Sequence, residues 1–177
     1  MARTGELTEN EGALLAVVLR KEPVSAYQIA KEYDASPIYT FNTAKGKLYP
    51  LIERMIRRGL LRSKEVPHDR RGTHVYTSTE AGRSALKQWV RSFRPEHDLL
   101  PDPLRRKLQA FELLDAEEQI AWVREARARI AERLAAVESH DADAEGPFGR
   151  FAQDNACESL RMRLDWLDRL ERSLKNN

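Results

Sequence analysis

Apolar residues return at helical spacing in three blocks over roughly the first third of the chain, each with its own start and stop signals. Thr8-Glu9-Asn10-Glu11 is a capping box: the Thr8 hydroxyl accepts from the Glu11 amide and the Glu11 carboxylate reaches back. The run from Ala13 to Leu19 is apolar on nearly every side, which predicts a helix buried among others and ended by Pro23. Ser25-Ala26-Tyr27-Gln28 is a second capping box, followed by Ile29, Ala30 and Tyr33, and Ser36-Pro37 breaks that helix. In the third block Asn42 is a fitting N-cap, Leu48, Leu51, Ile52, Met55 and Ile56 form the stripe, and Gly59 suits the left-handed C-terminal position. Pro50 lies inside this block and predicts a kink or irregular turn near Gly46–Pro50.

The period then changes from helix to strand. Leu60–Val66 and His74–Ser78 partly alternate around the polar turn Pro67-His68-Asp69-Arg70-Arg71-Gly72-Thr73, which predicts a hairpin with a basic tip. Thr79 caps a helix from Glu80 to about Phe93, with Ala81, Leu86, Trp89, Val90 and Phe93 apolar. Residues 94–103 carry three prolines and form the expected linker. Beyond it lie a helix from Leu104 to about Leu114, a helix capped by Asp115 that runs to about His140, an acidic turn over 141–147, and a last helix from about Gly149 to Leu174. The fold class expected is mainly α with a small β-hairpin wing. A winged helix-turn-helix occupies 1–93, and a helical domain occupies 104–177. Ile120, Val123, Ile130, Leu134, Leu160, Leu164 and Leu167 stripe the last two helices and are expected to pair two copies of the chain.

Composition narrows the class. With 177 residues, 41% of them hydrophobic, the chain can bury a core. No run approaches the roughly 18 apolar residues of a membrane span, and the first residues, MARTGELTENEG, show no apolar leader. A lone Cys157 excludes an intrachain disulfide and is expected to be structural. The expected location is the cytoplasm. The net charge of +2 hides an asymmetry: residues 1–93 carry 16 Lys+Arg against 10 Asp+Glu, and residues 94–177 carry 14 against 18. A basic front and an acidic back point the first half toward a polyanion.

Chemistry agrees with that division. A third helix of this kind enters a major groove, and the hairpin lays Arg70 and Arg71 along the phosphates of double-stranded DNA or into the adjacent minor groove. Lys45 and Lys47, with Asn42 and Thr43 beside them, stand where groove contacts are made. The rival class is a winged-helix module that binds another protein and not DNA. An enzyme is not expected: the chain has no G-x-S-x-G, no H-E-x-x-H and no glycine-rich phosphate loop. His68 and His74 lack a further ligand at metal spacing, and Asp141, Asp143 and Glu145 lack the bidentate Glu and the glycine of a calcium loop, so neither metal nor cofactor is expected.

Several of these segments carry a family likeness. Pro23-Val24-Ser25-Ala26-Tyr27-Gln28, Gly46-Lys47-Leu48-Tyr49-Pro50, Arg58-Gly59-Leu60-Leu61 and Tyr76…Thr79-Glu80-Ala81-Gly82 together resemble the PadR-type transcriptional regulators over about 75 residues. The C-terminal half resembles, more loosely, the larger dimerisation domain of the family's Vir-like branch. Ala26 departs from the pattern, which usually has Gly there. The resemblance implies a homodimeric repressor, usually released by a small-molecule effector or another cue; two paired copies are then expected to bind an inverted-repeat operator. It assigns Tyr27 and Tyr49 to the helix-turn-helix. It also places an effector between the DNA-binding unit and the dimer helices, where Trp89, Phe93 and Phe111 are the candidate lining.

Overall fold

The computed structural model describes residues 6–39, 47–67, 72–99 and 102–176. The chain divides into two compact units, Met1–Arg94 and Pro95–Asn177, each with its own apolar core. Mainly helical, with a small antiparallel sheet in the first unit, it is a winged helix-turn-helix followed by long helices.

The first unit runs α1 (Glu9–Lys21), β1 (Val24–Ser25), α2 (Ala26–Ala35), α3 (Leu48–Arg57), β2 (Leu61–Val66), β3 (Thr73–Ser78) and α4 (Glu80–Arg91). Both capping boxes form as the sequence predicts: Glu11 N–H donates to Thr8 at 3.3 Å, and Thr8 N–H donates to the Glu11 carboxylate at 2.9 Å. Leu14, Leu15 and Val18 of α1 are fully buried with Ile29 of α2 and Ile52 and Met55 of α3. Each such side chain, fully buried, contributes roughly 1.5–3 kcal/mol.

Two features differ from expectation. A third strand joins the wing hairpin: β1 pairs with β3, Val24 opposite Tyr76, so the sheet order is β1-β3-β2. A two-residue strand is too short to show a period. The α3 helix begins at Leu48, which puts Pro50 in its first turn. No intrahelical donor is needed there, so the proline is accommodated and no kink is required. Asn42 and Gly46 lie outside the described residues.

The joint between α3, β2 and α4 explains a run of motif residues. Gly59 sits at φ +70°, a conformation that favours glycine, and turns the chain out of α3. The Thr79 hydroxyl accepts from the Gly82 amide at 2.9 Å, capping α4, and donates to the Gly59 carbonyl at 2.7 Å. Gly82 lies against the Leu60 carbonyl so closely that a Cβ there would overlap it. Glu22, just past α1, accepts from the Ser78 hydroxyl at 2.8 Å and from Arg83 at 2.6 Å, tying the end of the wing to the start of α4.

Arg54 of α3 and Arg58, its C-cap, are both tied to Glu11. Both guanidiniums reach the Glu11 carboxylate at 2.9 Å, and Glu11 is only 2% exposed. Burial by itself would raise the Glu11 carboxyl, but the Thr8 amide and the two guanidiniums outweigh it and hold the group below its usual value.

The second unit contains α5 (Pro95–Asp98), α6 (Pro103–Lys107), a 3-10 turn (Leu108–Leu113), α7 (Ala116–Glu138), a 3-10 turn (Ala142–Glu145) and α8 (Gly149–Lys175). The single helix predicted over Leu104–Leu114 is broken at Ala110, whose backbone leaves the helical region at φ −126° and ψ 19°. Helices α7 and α8 pack as an antiparallel hairpin with Val123, Ile130 and Leu167 buried between them. Cross-links in opposite chain order, Arg124–Glu171 at 3.2 Å, Arg127–Asp168 at 2.8 Å and Arg161–Glu138 at 2.5 Å, fix its register. Gln153 closes the turn, donating to the carbonyls of Val137 at 2.7 Å and His140 at 2.8 Å. No described helix is long and apolar enough to cross a membrane.

Replacing Glu11 by Gln leaves two guanidiniums half-answered and is expected to cost about 2–4 kcal/mol in urea unfolding. The Glu11 carboxyl is depressed below its ordinary 4.5 on folding, so its stabilisation is complete above about pH 4.5 and drains away as the pH falls through the lowered value. The Gln variant should therefore lose less stability between pH 5 and pH 3 than the parent; equal acid slopes contradict the assignment. Gly82→Ala, which drives a methyl into a backbone carbonyl, is expected to lower the unfolding midpoint by the equivalent of about 1–3 kcal/mol.

Candidate nucleic-acid interface

Helical period decides which residues the N-terminal unit turns outward. Along α3, Leu48, Leu51, Ile52 and Met55 are buried, so Tyr49, the second residue of the helix, is thrown out and stands 59% exposed. On α2 the same logic buries Ala26 and Ile29 and exposes Tyr27, again the second helical residue, at 75%. Neither tyrosine belongs to the core. Ala26, the departure from the family pattern, keeps its methyl within the core cluster.

Each of these two helix starts brings polar and cationic groups with it. Ser25 caps α2, its hydroxyl accepting from the Gln28 amide at 3.3 Å, and Gln28 itself is exposed. Lys47 is exposed immediately before α3. Arg20 and Lys21 at the end of α1 are answered by Glu32 at 3.6 and 3.3 Å. Arg54 and Arg58 engage Glu11, and Lys31, Lys47, Arg57, Arg62 and Lys64 are exposed cations of this unit.

On β2, Arg62 and Lys64 are exposed and stand opposite Thr77 and Val75, on the sheet face away from buried Leu61 and Tyr76. On the other face His74 lies beside Ser63, Nδ1 to Oγ 3.1 Å. Tyr76 has its hydroxyl pushed up by burial, with the neighbouring Tyr49 and Glu53 adding to the effect, so the start of α3 lies close to the wing sheet. Asn42, Thr43, Lys45, Arg70 and Arg71 lie outside the described residues.

The remaining candidates separate by unit. Trp89 is half-buried in the first unit, its ring packed against Gly12 and its indole N–H 3.4 Å from Glu9. It also lines a cavity of about 120 Å³ with Leu7, Ala85 and Arg94. Phe93 is 81% exposed just beyond α4. Phe111, in the second unit, meets Trp122 edge to face, ring centroids 5.1 Å apart. Val123 and Leu167 have no exposed surface, and Ile130 only 8%, so these three hold the chain's own hairpin together; Ile120, Leu134, Leu160 and Leu164 keep partial exposure. Leu99, Leu113, Phe148, Phe151 and Met162 are the large apolar side chains that the described part of the second unit leaves open, at 61–82%. Among the described residues no group of three or more His, Cys, Asp or Glu could hold a metal ion.

Comparison with known proteins places this geometry. Residues 14–88 match the model of the transcriptional regulator PadR-like family. Solved structures share the fold along nearly the whole chain. PadR of Bacillus subtilis in complex with operator DNA superposes with a TM-score of 0.74 at 16% identity, covering 93% of this chain and 98% of that one. The same protein in complex with p-coumaric acid gives 0.72 at 16% identity, with 93% and 98% covered. The PadR-like regulator BC1756 of Bacillus cereus gives 0.76 at 16% identity, with 98% and 99% covered. The virulence activator AphA of Vibrio cholerae gives 0.72 at 20% identity, with 95% and 99% covered. No curated protein matches the chain.

Outward tyrosines make a test of their own. Tyr27→Ala and Tyr49→Ala are each expected to shift unfolding stability by less than about 1 kcal/mol, as surface changes do, where a core aromatic would cost roughly 3–5 kcal/mol. A large loss in guanidinium unfolding would return either residue to the core.

Proposed function

Residues 14–88 belong to the PadR-like transcriptional regulator family, and from that premise we propose that this regulator is a homodimeric repressor that grips an inverted-repeat operator in double-stranded DNA. The observation that carries the reading is the exposed start of α3: Lys47 and Tyr49 project from a helix whose opposite stripe is locked into the core. Such a helix end enters a major groove, where Tyr27, Asn42, Thr43, Lys45, Lys47 and Tyr49 supply hydrogen-bond donors and charge. Arg70 and Arg71 at the wing tip, with Arg62 and Lys64 behind them, follow the phosphates.

Pairing is assigned to the second unit. Partially exposed Ile120, Leu134, Leu160 and Leu164 and the open Phe148 and Phe151 supply apolar surface for a second copy, and a two-fold pair reads a two-fold operator. Residues 94–103 act as the joint between a DNA-binding domain and a dimerisation domain. Release by a small molecule is part of the proposal, supported by the p-coumaric acid complex of the Bacillus subtilis protein. Trp89, Phe93 and Phe111 are the aromatic candidates for sensing it.

Sedimentation of the intact protein at micromolar concentration is expected to give a dimer. It should retain a duplex drawn from the DNA upstream of its own gene, with a log–log salt slope of about −5 if six phosphates are neutralised. Arg70→Ala with Arg71→Ala should flatten that slope by up to about 4 across the dimer. Duplex affinity that ignores both salt and the double substitution would instead favour a winged module that binds protein.

A further inference from the structure

The outward side of α3 carries a carboxylate as well as cations. Leu48, Leu51, Ile52 and Met55 are buried, so Tyr49, Glu53 and Arg57, each about one helical turn from the next, line up on the exposed side. Arg54 leaves that line and reaches across to Glu11 of α1. Glu53 lies on the flank toward the wing. The Tyr76 hydroxyl of β3 is held above its usual value by burial first, and Tyr49 and Glu53 add to the effect, so the carboxylate stands close enough for its charge to be felt there. The side chains of Glu53 and Arg57 are 3.7 Å apart and each 69% exposed.

This is a costly place for an anion if α3 enters a groove. Phosphates on either side of the groove repel a carboxylate, and an exposed, long pair with Arg57 holds it only weakly. A carboxylate can do nothing but accept hydrogen bonds. The donors that a major groove offers are the amino groups of cytosine and adenine. Adenine's amino group has an acceptor on each side, its own N7 and the O4 of the paired thymine. Cytosine's has an acceptor on the guanine side alone, so cytosine is the base that a carboxylate can approach.

We infer, on the proposed DNA-binding reading, that Glu53 is a specificity-determining residue whose carboxylate accepts from the amino group of one cytosine in each operator half-site. Such a residue acts in two directions. At the right base pair it gains a charge-assisted hydrogen bond, and at any other it leaves an unanswered anion among phosphates. Discrimination comes as much from that penalty as from the contact.

The test selects sites from a pool of random duplexes with the intact protein, then measures affinity by anisotropy for each single-base-pair change in the selected site. The parent is compared with Glu53→Ala and Glu53→Gln, and a duplex without the site is included. The parent is expected to prefer cytosine at one position of each half-site by about tenfold. Glu53→Ala should cut that preference below about twofold, keep the preferences at the other positions, and bind the unrelated duplex severalfold more tightly. Glu53→Gln, whose amide both donates and accepts, should move the preference from cytosine to adenine. Both variants should unfold close to the parent's midpoint, because the side chain is exposed. A merely solvated Glu53 cannot change the base preferred at one position. Unaltered discrimination in Glu53→Ala, or an affinity changed equally for every duplex, overturns the role of Glu53 and leaves the DNA-binding proposal standing. A parent that retains no duplex overturns the DNA-binding proposal and the role of Glu53 with it.

Discussion

The buried carboxylate of Glu11 is the constraint on which the geometry of the N-terminal unit depends. One group answers the first turn of α1 through Thr8 and the last turns of α3 through Arg54 and Arg58. A charge in the protein interior is tolerable only when its partners are in place, so α1 and α3 have one acceptable relation to each other. The same contact engages two cations at the end of α3, while Lys47 and Tyr49 at its beginning stand exposed. Under the proposed DNA-binding reading, that exposed beginning is the end of the helix that faces the duplex.

The wing is positioned by a second, smaller set of contacts. Thr79 and Gly82 lock the start of α4 under the Gly59–Leu60 corner, and Glu22 ties Ser78 and Arg83 to the end of α1. Gly59, Thr79 and Gly82 belong to the Gly-Leu-Leu and Thr-Glu-Ala-Gly segments, and each has a mechanical role: Gly59 takes a left-handed backbone, Gly82 has no room for a Cβ, and the Thr79 hydroxyl both donates and accepts. In the second unit the hairpin of α7 and α8 is sealed by Val123, Ile130 and Leu167 before any partner is met. What it leaves outside is a set of open aromatic and aliphatic side chains.

Most of the fold was legible in the sequence because capping boxes and helical stripes are local signals. Thr8–Glu11 and Ser25–Gln28 place two helix starts to the residue, and the gap from Gly146-Pro147 to Gly149 marks the turn before α8. What escaped was decided by tertiary contact. The strand at Val24–Ser25 exists because β3 offers it a partner, and the break at Ala110 interrupts a stripe that looks continuous in one dimension. The tie from Arg54 to Glu11 spans 43 residues of sequence and is invisible to any local window. The stripe of the last two helices was legible as apolar, but periodicity does not tell a helix's own hairpin partner from a second molecule. Of the candidate interface, Tyr27, Lys47 and Tyr49 were named from motif and are found exposed, while Arg62 and Lys64 were passed over because a charged residue on a strand is ordinarily only solvated.

The central claim, that two copies present two rigidly held α3 helices to one face of a duplex, is met most directly by hydroxyl-radical footprinting of the bound upstream DNA. The account predicts two protected patches on one face, their centres about 34 Å, one helical turn, apart and related by the operator's two-fold axis. A single unpaired patch, or uniform protection with no helical periodicity, would contradict it.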